Sequence, residues 1–435
     1  MVDIAASLLI LIAVGVAVSA LNRFPLLQIF VIIVSAYTIF FPMLDFMSSP
    51  YPFTRTFLYH QIVFGVFFLA PLVFFISRGA VKLAGKATTV SPPVELNHYT
   101  PIILIASLAL FTASSILYNL YFVRIGYGDF LLTTGSTPTV LLFHYRMMAE
   151  TSFFVIIYLI AAVRAGKGDA YRKYYMLALG LYVLTFSPFF LINSRMQFLL
   201  LLILVLVSNY EKGRINFPRL IAVVVSVVTL AIALTLLREF IIEDNGRLDA
   251  SSSASLIRET VWLISGRLNS LTMIDTAGET GYNIFAPNLY GFWFVIKFNL
   301  SPIFDPAFYA YIKSIEQTSP SVYIMNTILL RNDVDFPKSM AVETVLMLGA
   351  LGLPALAYVI SRVMIWIQRK LRYDDISSVG FVLALYFLPL VYQFEKEFSG
   401  VLLSALKWSP MAAFLIISRP RRVSRGVNGR QLAHV

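Results

Sequence analysis

Cysteine is absent from the 435 residues, which excludes disulfides, thiol nucleophiles and thiolate metal sites. Histidine is nearly absent: His60, His98, His144 and His434 lie far apart, with no pair at metal-ligand spacing, so no zinc or other metal centre is expected. Charge is scarce as well. Asp, Glu, Lys and Arg make up 13% of the chain, against roughly 25% in an ordinary soluble domain. Alternating apolar segments of about 10 residues, the mark of a transmembrane β-barrel, do not occur. There is no internal repeat and no low-complexity stretch beyond Ser251-Ser252-Ser253. The start, Met1-Val2-Asp3, lacks a basic n-region and no small-residue cleavage site follows, so the first apolar run is expected to be retained.

What is there is apolar. The hydrophobic fraction is 58% and the mean hydropathy +0.78. Repeated apolar runs of about 18 residues or more read as membrane-spanning helices, since about 20 residues cross the hydrocarbon core. Eleven are expected, giving an all-α integral membrane protein. The first four are Ile4–Leu21, Leu26–Phe41, Leu58–Ile76 and Ile102–Val123. The next four are Met147–Val163, Tyr174–Ile192, Met196–Ser208 and Leu220–Leu237. Met340–Ile367, Val379–Tyr392 and Val401–Ile417 complete the set. The chain thus divides into spans one to eight (1–238), a long loop (239–339), spans nine to eleven (340–418) and a basic tail (419–435).

A net charge of +11 would raise nucleic acid as a partner in a soluble protein. Here it has a topological cause, and membrane lipid, not nucleic acid, is the expected partner. With eleven crossings the clusters around Arg78, Arg164, Lys212, Arg369 and the tail arginines all fall on one side with the C-terminus. That side is cytoplasmic by the positive-inside rule, which puts the N-terminus and the long loop outside.

Cations on the wrong side of that pattern are the informative ones. Arg195 sits at the external turn of a tight hairpin, before the run Phe198–Val207. It is either an interfacial arginine snorkelling to lipid phosphate or a fixed cation for an anionic substrate. Arg238 enters the loop at the same level, and Arg124, Arg146 and Glu150 flank the connection between spans four and five. Several guanidinium groups at one depth suit a phosphate or diphosphate, whose oxygens pair bidentately with the planar fork. Inside the loop, Ala254–Asp275 reads as an amphipathic helix with Arg258 and Arg267 on opposite flanks of its apolar stripe. Arg331 lies further along the loop. The aromatics from Tyr282 to Tyr311 read either as sugar-stacking groups or, preferably, as the loop's own core and its lipid contact. Glu343, within a turn of the start of span nine, is a general-base candidate or a structural partner. Glu150 is the reserve.

Three stretches carry a resemblance to a family: Leu191-Ile192-Asn193-Ser194-Arg195, Ile264-Ser265-Gly266-Arg267-Leu268 with Gly278 downstream, and Pro337-Lys338-Ser339-Met340-Ala341-Val342-Glu343 followed by Gly349 and Gly352. In this order, with one large external loop, they resemble the Wzy-type polymerases of O-antigen and other oligosaccharide repeat units, relatives of the O-antigen ligases. The histidine expected in that family's external loop has no counterpart here. The resemblance implies a GT-C-like fold in the bacterial cytoplasmic membrane. It implies a glycosyltransferase that uses a polyprenyl-diphosphate-linked oligosaccharide, with no cofactor, no metal and no nucleotide sugar. A flippase and a chain-length regulator are the protein partners it points to. It puts Arg195, Arg238 and Arg267 on the diphosphate, with Arg258 and Arg331 behind them. An O-antigen ligase and a lipid-linked oligosaccharide flippase are the competing readings. A flippase is expected to show two similar halves and charged residues spread through the spans, and neither is present.

The topology is open to direct measurement. A fluorescent-protein fusion after Val435 should fluoresce, and a periplasmic phosphatase inserted at Ser251–Ser253 should be active. The reverse pair of readouts would invert the orientation.

Overall fold

The computed structural model describes residues 2–21, 23–48, 56–84, 100–125, 283–305, 339–374 and 378–392, with isolated positions at 148, 274, 307, 308, 311, 398 and within 401–417. All secondary structure among them is helical. Three helical stretches are long and apolar enough to cross a membrane: Pro25–Met47, Tyr59–Ala84 and Ala350–Tyr373. Expected spans five to eight lie outside the described residues, apart from the helical Met148. So does the predicted loop helix, apart from the helical, buried Ile274.

The chain divides into two units. The first holds Met1–Ala87, Glu243–Gln368 and Leu388–Leu406. Its opening helix, α1, is Val2–Ala20. Pro25 at the first helical position, where its missing N–H costs nothing, begins α2, Pro25–Ser35. The sequence pattern ends the second span at Phe41, because Pro42 breaks helices. The structure instead carries the helix on through a π turn, Ala36–Phe40, into α3, Phe41–Ser48. The third span does the same. Thr56–Phe64 (α4) passes through a π turn, Gly65–Leu69, into α5, Ala70–Ala84, with Pro71 at its second position. In both, the wider turn closes with a bond from residue i to i−5, Phe41 N–H to the Ala36 carbonyl and Ala70 N–H to that of Gly65. A proline one residue later has no N–H to give and a ring that crowds the carbonyl four residues back. Widening the turn makes room for that ring without ending the helix.

Polar groups inside this apolar unit find partners across helices. Ser7 Oγ donates to Gln61 Oε1 at 2.7 Å, and Gln61 Nε2 donates to the Ile39 carbonyl in the first π turn at 3.3 Å. Tyr392 OH donates to the Leu26 carbonyl at 3.0 Å, its ring edge-on to Phe30. Ser361 Oγ reaches the Leu72 carbonyl at 3.3 Å. Each such bond fixes register between helices whose apolar surfaces alone leave it loose. Further along the same pair, Gly79 lies under Ile365, so the two helices come close.

The expected ninth span, Met340–Ile367, is not one helix. It is α8, Met340–Leu348, then a break at Gly349, a short 3₁₀ turn at Ala350–Gly352 and α9, Leu353–Tyr373. The run of apolar residues continues through the break, so hydropathy alone passes over it. Within the long loop, Leu289–Phe304 forms α7, capped by Asn288, whose Oδ1 accepts from the Gly291 N–H at 2.9 Å.

The second unit comprises Thr88–Ile242, Arg369–Phe387 and Lys407–Val435. Within it α6, Thr100–Ile125, buries Leu108, Phe111, Ser114 and Tyr118 on one face. The turn before α10, Val379–Tyr392, is held by Lys370 against Asp374 at 2.8 Å, with Ser378 donating to Asp374 and capping the Phe381 N–H. The last expected span is helical at each of its described positions.

Gly349 has φ +69 and ψ 175, a region open essentially to glycine alone, and a Cβ there would stand 2.6 Å from the Phe285 carbonyl oxygen. Gly349→Ala should therefore cost about 1–3 kcal/mol from backbone strain before the clash is counted. At Gly79 the obstacle is the Ile365 side chain and not backbone, so Gly79→Ala should be milder. Thermal unfolding in detergent compares them, and equal losses would contradict the assignment.

Candidate functional site

Glu343 is the one candidate that the described residues include. Ser339 begins its helix: with φ −155 and ψ 159, its Oγ accepts from the Val342 N–H at 3.2 Å. Glu343 falls in the first turn, where a negative charge meets the positive end of the helix dipole. Met340 through Met347 are all buried, a helix covered on every side. The cover on one side is α7, through Phe294, Val295 and Phe298 against Met347. Phe398, from the connection between the last two expected spans, packs against the same cluster.

The Glu343 carboxylate is 0% exposed, and its Oε2 accepts from the Phe398 backbone N–H at 2.5 Å. The spacing along the chain had placed it at the outer start of a membrane span, open to solvent or an arginine. It lies instead on a separate helix before the break. The partner seen here is a main-chain amide 55 residues away, which ties α8 to the chain beyond α10. A buried carboxylate that accepts from an amide fixes the position of whatever carries that amide.

Beyond the carboxylate the break itself is a built joint. The Ala350 N–H donates to the Ile284 carbonyl at 2.7 Å, and the Asn288 N–H donates to the Met347 carbonyl at 2.9 Å. Two loop residues thus satisfy groups that a continuous helix would have paired internally. Asn283 folds the same segment, its Oδ1 accepting from the Phe285 N–H at 3.0 Å. The Phe285 ring then stands edge-on to Tyr59 and Phe67 of the third span, at 6.3 and 6.0 Å between centroids. Lys297, one of the loop's cations, is occupied: it lies 3.9 Å above the Phe308 ring and 3.9 Å from Asp305.

Arg195, Arg238, Arg258, Arg267, Arg331 and Glu150 lie outside the described residues. Two buried titratable groups escaped the sequence reading. Asp45 and His60 are 4% and 3% exposed on α3 and α4. In the sequence, Pro42 suggests a connection around Asp45, and His60 is one of four scattered histidines. The signal that marks Asp45 is proline tolerance, since an apolar pattern that resumes after a proline marks a helix that has not ended; for His60 it is a titratable side chain inside an expected span. Comparison with protein-family models, with curated proteins and with solved structures finds no match to this chain.

Glutamine at 343 keeps an oxygen for the Phe398 amide, whereas alanine leaves that buried N–H without it and opens a cavity. Glu343→Ala should destabilise by several kcal/mol, combining an unmet buried donor at about 1–3 kcal/mol with the lost packing. Glu343→Gln should keep most of that stability. Detergent melting curves test the order, and an alanine variant as stable as wild type would remove the tether's importance.

Proposed function

We propose that this protein polymerises polyprenyl-diphosphate-linked oligosaccharide repeat units into a surface polysaccharide, by glycosyl transfer at the outer face of the bacterial cytoplasmic membrane. The observation that supports this most is the fold of the loop exit. The segment Ser339–Gly352, whose sequence carries part of the family resemblance, forms a buried helix with a carboxylate and a joint clamped by the loop. A loop tied down in this way suits a cover over a membrane-embedded donor. A free tether would not.

In the reaction, a hydroxyl oxygen on one lipid-linked repeat unit attacks the anomeric carbon of the sugar at the reducing end of another chain. The new C–O bond forms as the bond from that carbon to the diphosphate oxygen breaks, and polyprenyl diphosphate departs with the bonding pair. Arg195, Arg238 and Arg267 neutralise the departing charge, with Arg258 and Arg331 in support. The acceptor's proton passes to a carboxylate. Glu343, fully buried as it stands, fills that role only if the acceptor hydroxyl reaches it, with Glu150 as the second candidate; otherwise Glu343 is a positioning residue.

Purified protein in liposomes, given a lipid-linked repeat unit without nucleotide or metal, should yield a ladder of longer lipid-linked products. Arg195→Ala and Arg267→Ala should abolish the ladder and still insert. Glu343→Gln separates the two roles of the carboxylate: loss of a general base lowers the rate by about 100-fold or more, while a positioning role leaves it near wild type. Movement of the substrate across the bilayer with no new glycosidic bond would favour a flippase and sink the proposal. Transfer to a different acceptor, with no ladder, would favour a ligase.

A further inference from the structure

The joint at Gly349 can be given a depth. Gly79 and Ile365 meet where Arg78, Lys82 and Arg362 are all exposed, so this crossing marks one membrane–water interface. From Ile365 back to Ala350 is 15 residues, about 22 Å at 1.5 Å per residue. From Gly79 back to Phe67, which touches the docked loop, is 12 residues, or about 18 Å. Two helices therefore agree, and both distances fall short of the core thickness of about 30 Å. The break, and the loop residues Ile284–Asn288 bonded to it, lie within the hydrocarbon layer, toward its far side. In the irregular backbone there, the Ala286, Asn288 and Ala350 amides are paired with the Asn283, Met347 and Ile284 carbonyls.

Helix α7 starts at that depth. Trp293 is five residues from Asn288 and so within about 7.5 Å of it, whichever way the helix runs. Leu289, Tyr290, Trp293, Leu300 and Phe304 project within an arc of about 100° at 100° per residue. They are 68%, 59%, 65%, 46% and 77% exposed, while Phe294, Val295, Phe298 and Ser301 on the opposite arc are buried. Lys297 falls within the same arc and is exposed, its charge paired with Asp305 and set over the Phe308 ring, so the stripe is apolar apart from this one neutralised pair. Leu348 and Leu351, on either side of the break, are exposed and apolar too. In water so large a patch is costly; against acyl chains it is not.

We propose that Leu289–Phe304, sequence-wise part of the external loop, is a membrane-embedded half-span whose stripe faces lipid acyl chains in the leaflet opposite the Arg78 end. With 16 residues it is about 24 Å long, too short to cross by itself. Its lipid contact is a property of the fold and stands apart from the proposed reaction. The absence of native cysteine makes the test clean. Trp293→Cys carries a nitroxide in liposomes, and its collisions with oxygen and with a water-soluble nickel chelate are compared. Oxygen should be favoured several-fold. Preference for the chelate would put the stripe in water, and exclusion of both reagents would put it under other protein; either overturns the proposal. Leu289→Cys takes its place if the first variant fails to insert.

Discussion

Two backbone hydrogen bonds hold the described part of this fold in its arrangement. Ile284 accepts from Ala350 and Asn288 donates to Met347, and between them the chain at Gly349 leaves helical geometry altogether. An unpaired amide or carbonyl in an apolar interior costs several kcal/mol, so a break in a buried helix exists only where something replaces its internal bonds. Here the replacement comes from the long loop. The break and the docked loop are one feature, since the loop supplies the bonds that the break gives up. Gly349 is the residue that permits it, because its backbone passes against the Phe285 carbonyl with no room for a side chain.

From that joint the other contacts follow. Phe285 is held where its ring meets Tyr59 and Phe67, so the third span is fixed to the ninth. Asn288 caps α7, which brings Phe294 and Phe298 onto Met347 and closes over α8. Covered in this way, Glu343 has no access to solvent, and the Phe398 amide meets it. A carboxylate that the chain places near a span end becomes a tether between two distant segments.

The proposed chemistry turns on charge. Arginines outside the described residues are asked to hold a diphosphate, and a diphosphate on a polyprenyl tail sits at the membrane surface by its own amphipathicity. A half-span in the same leaflet would border such a donor with aromatic and aliphatic side chains. The aromatics from Tyr282 to Tyr311 read better as packing and lipid contact than as a sugar platform, because their buried members stack on one another at Phe294 and Phe298 and their exposed members line one stripe.

Composition and hydropathy by themselves determined the class: an apolar helical chain with helices long enough to cross a membrane, two of them close to where Ile102–Val123 and Val379–Tyr392 were expected. Such features are local sums over about 20 residues, which one sequence contains in full. Candidate residues were legible only as types: Glu343 was visible as a charge in an apolar setting, but its amide partner was not. Only the tertiary structure decided that Pro42 and Pro71 lie within helices, that the ninth span is broken, and that part of an apparently external loop returns to it. Each depends on a partner far along the chain, Gln61 for the Ile39 carbonyl and Ile284 for the Ala350 amide, and hydropathy carries no information about which distant group will supply a missing hydrogen bond.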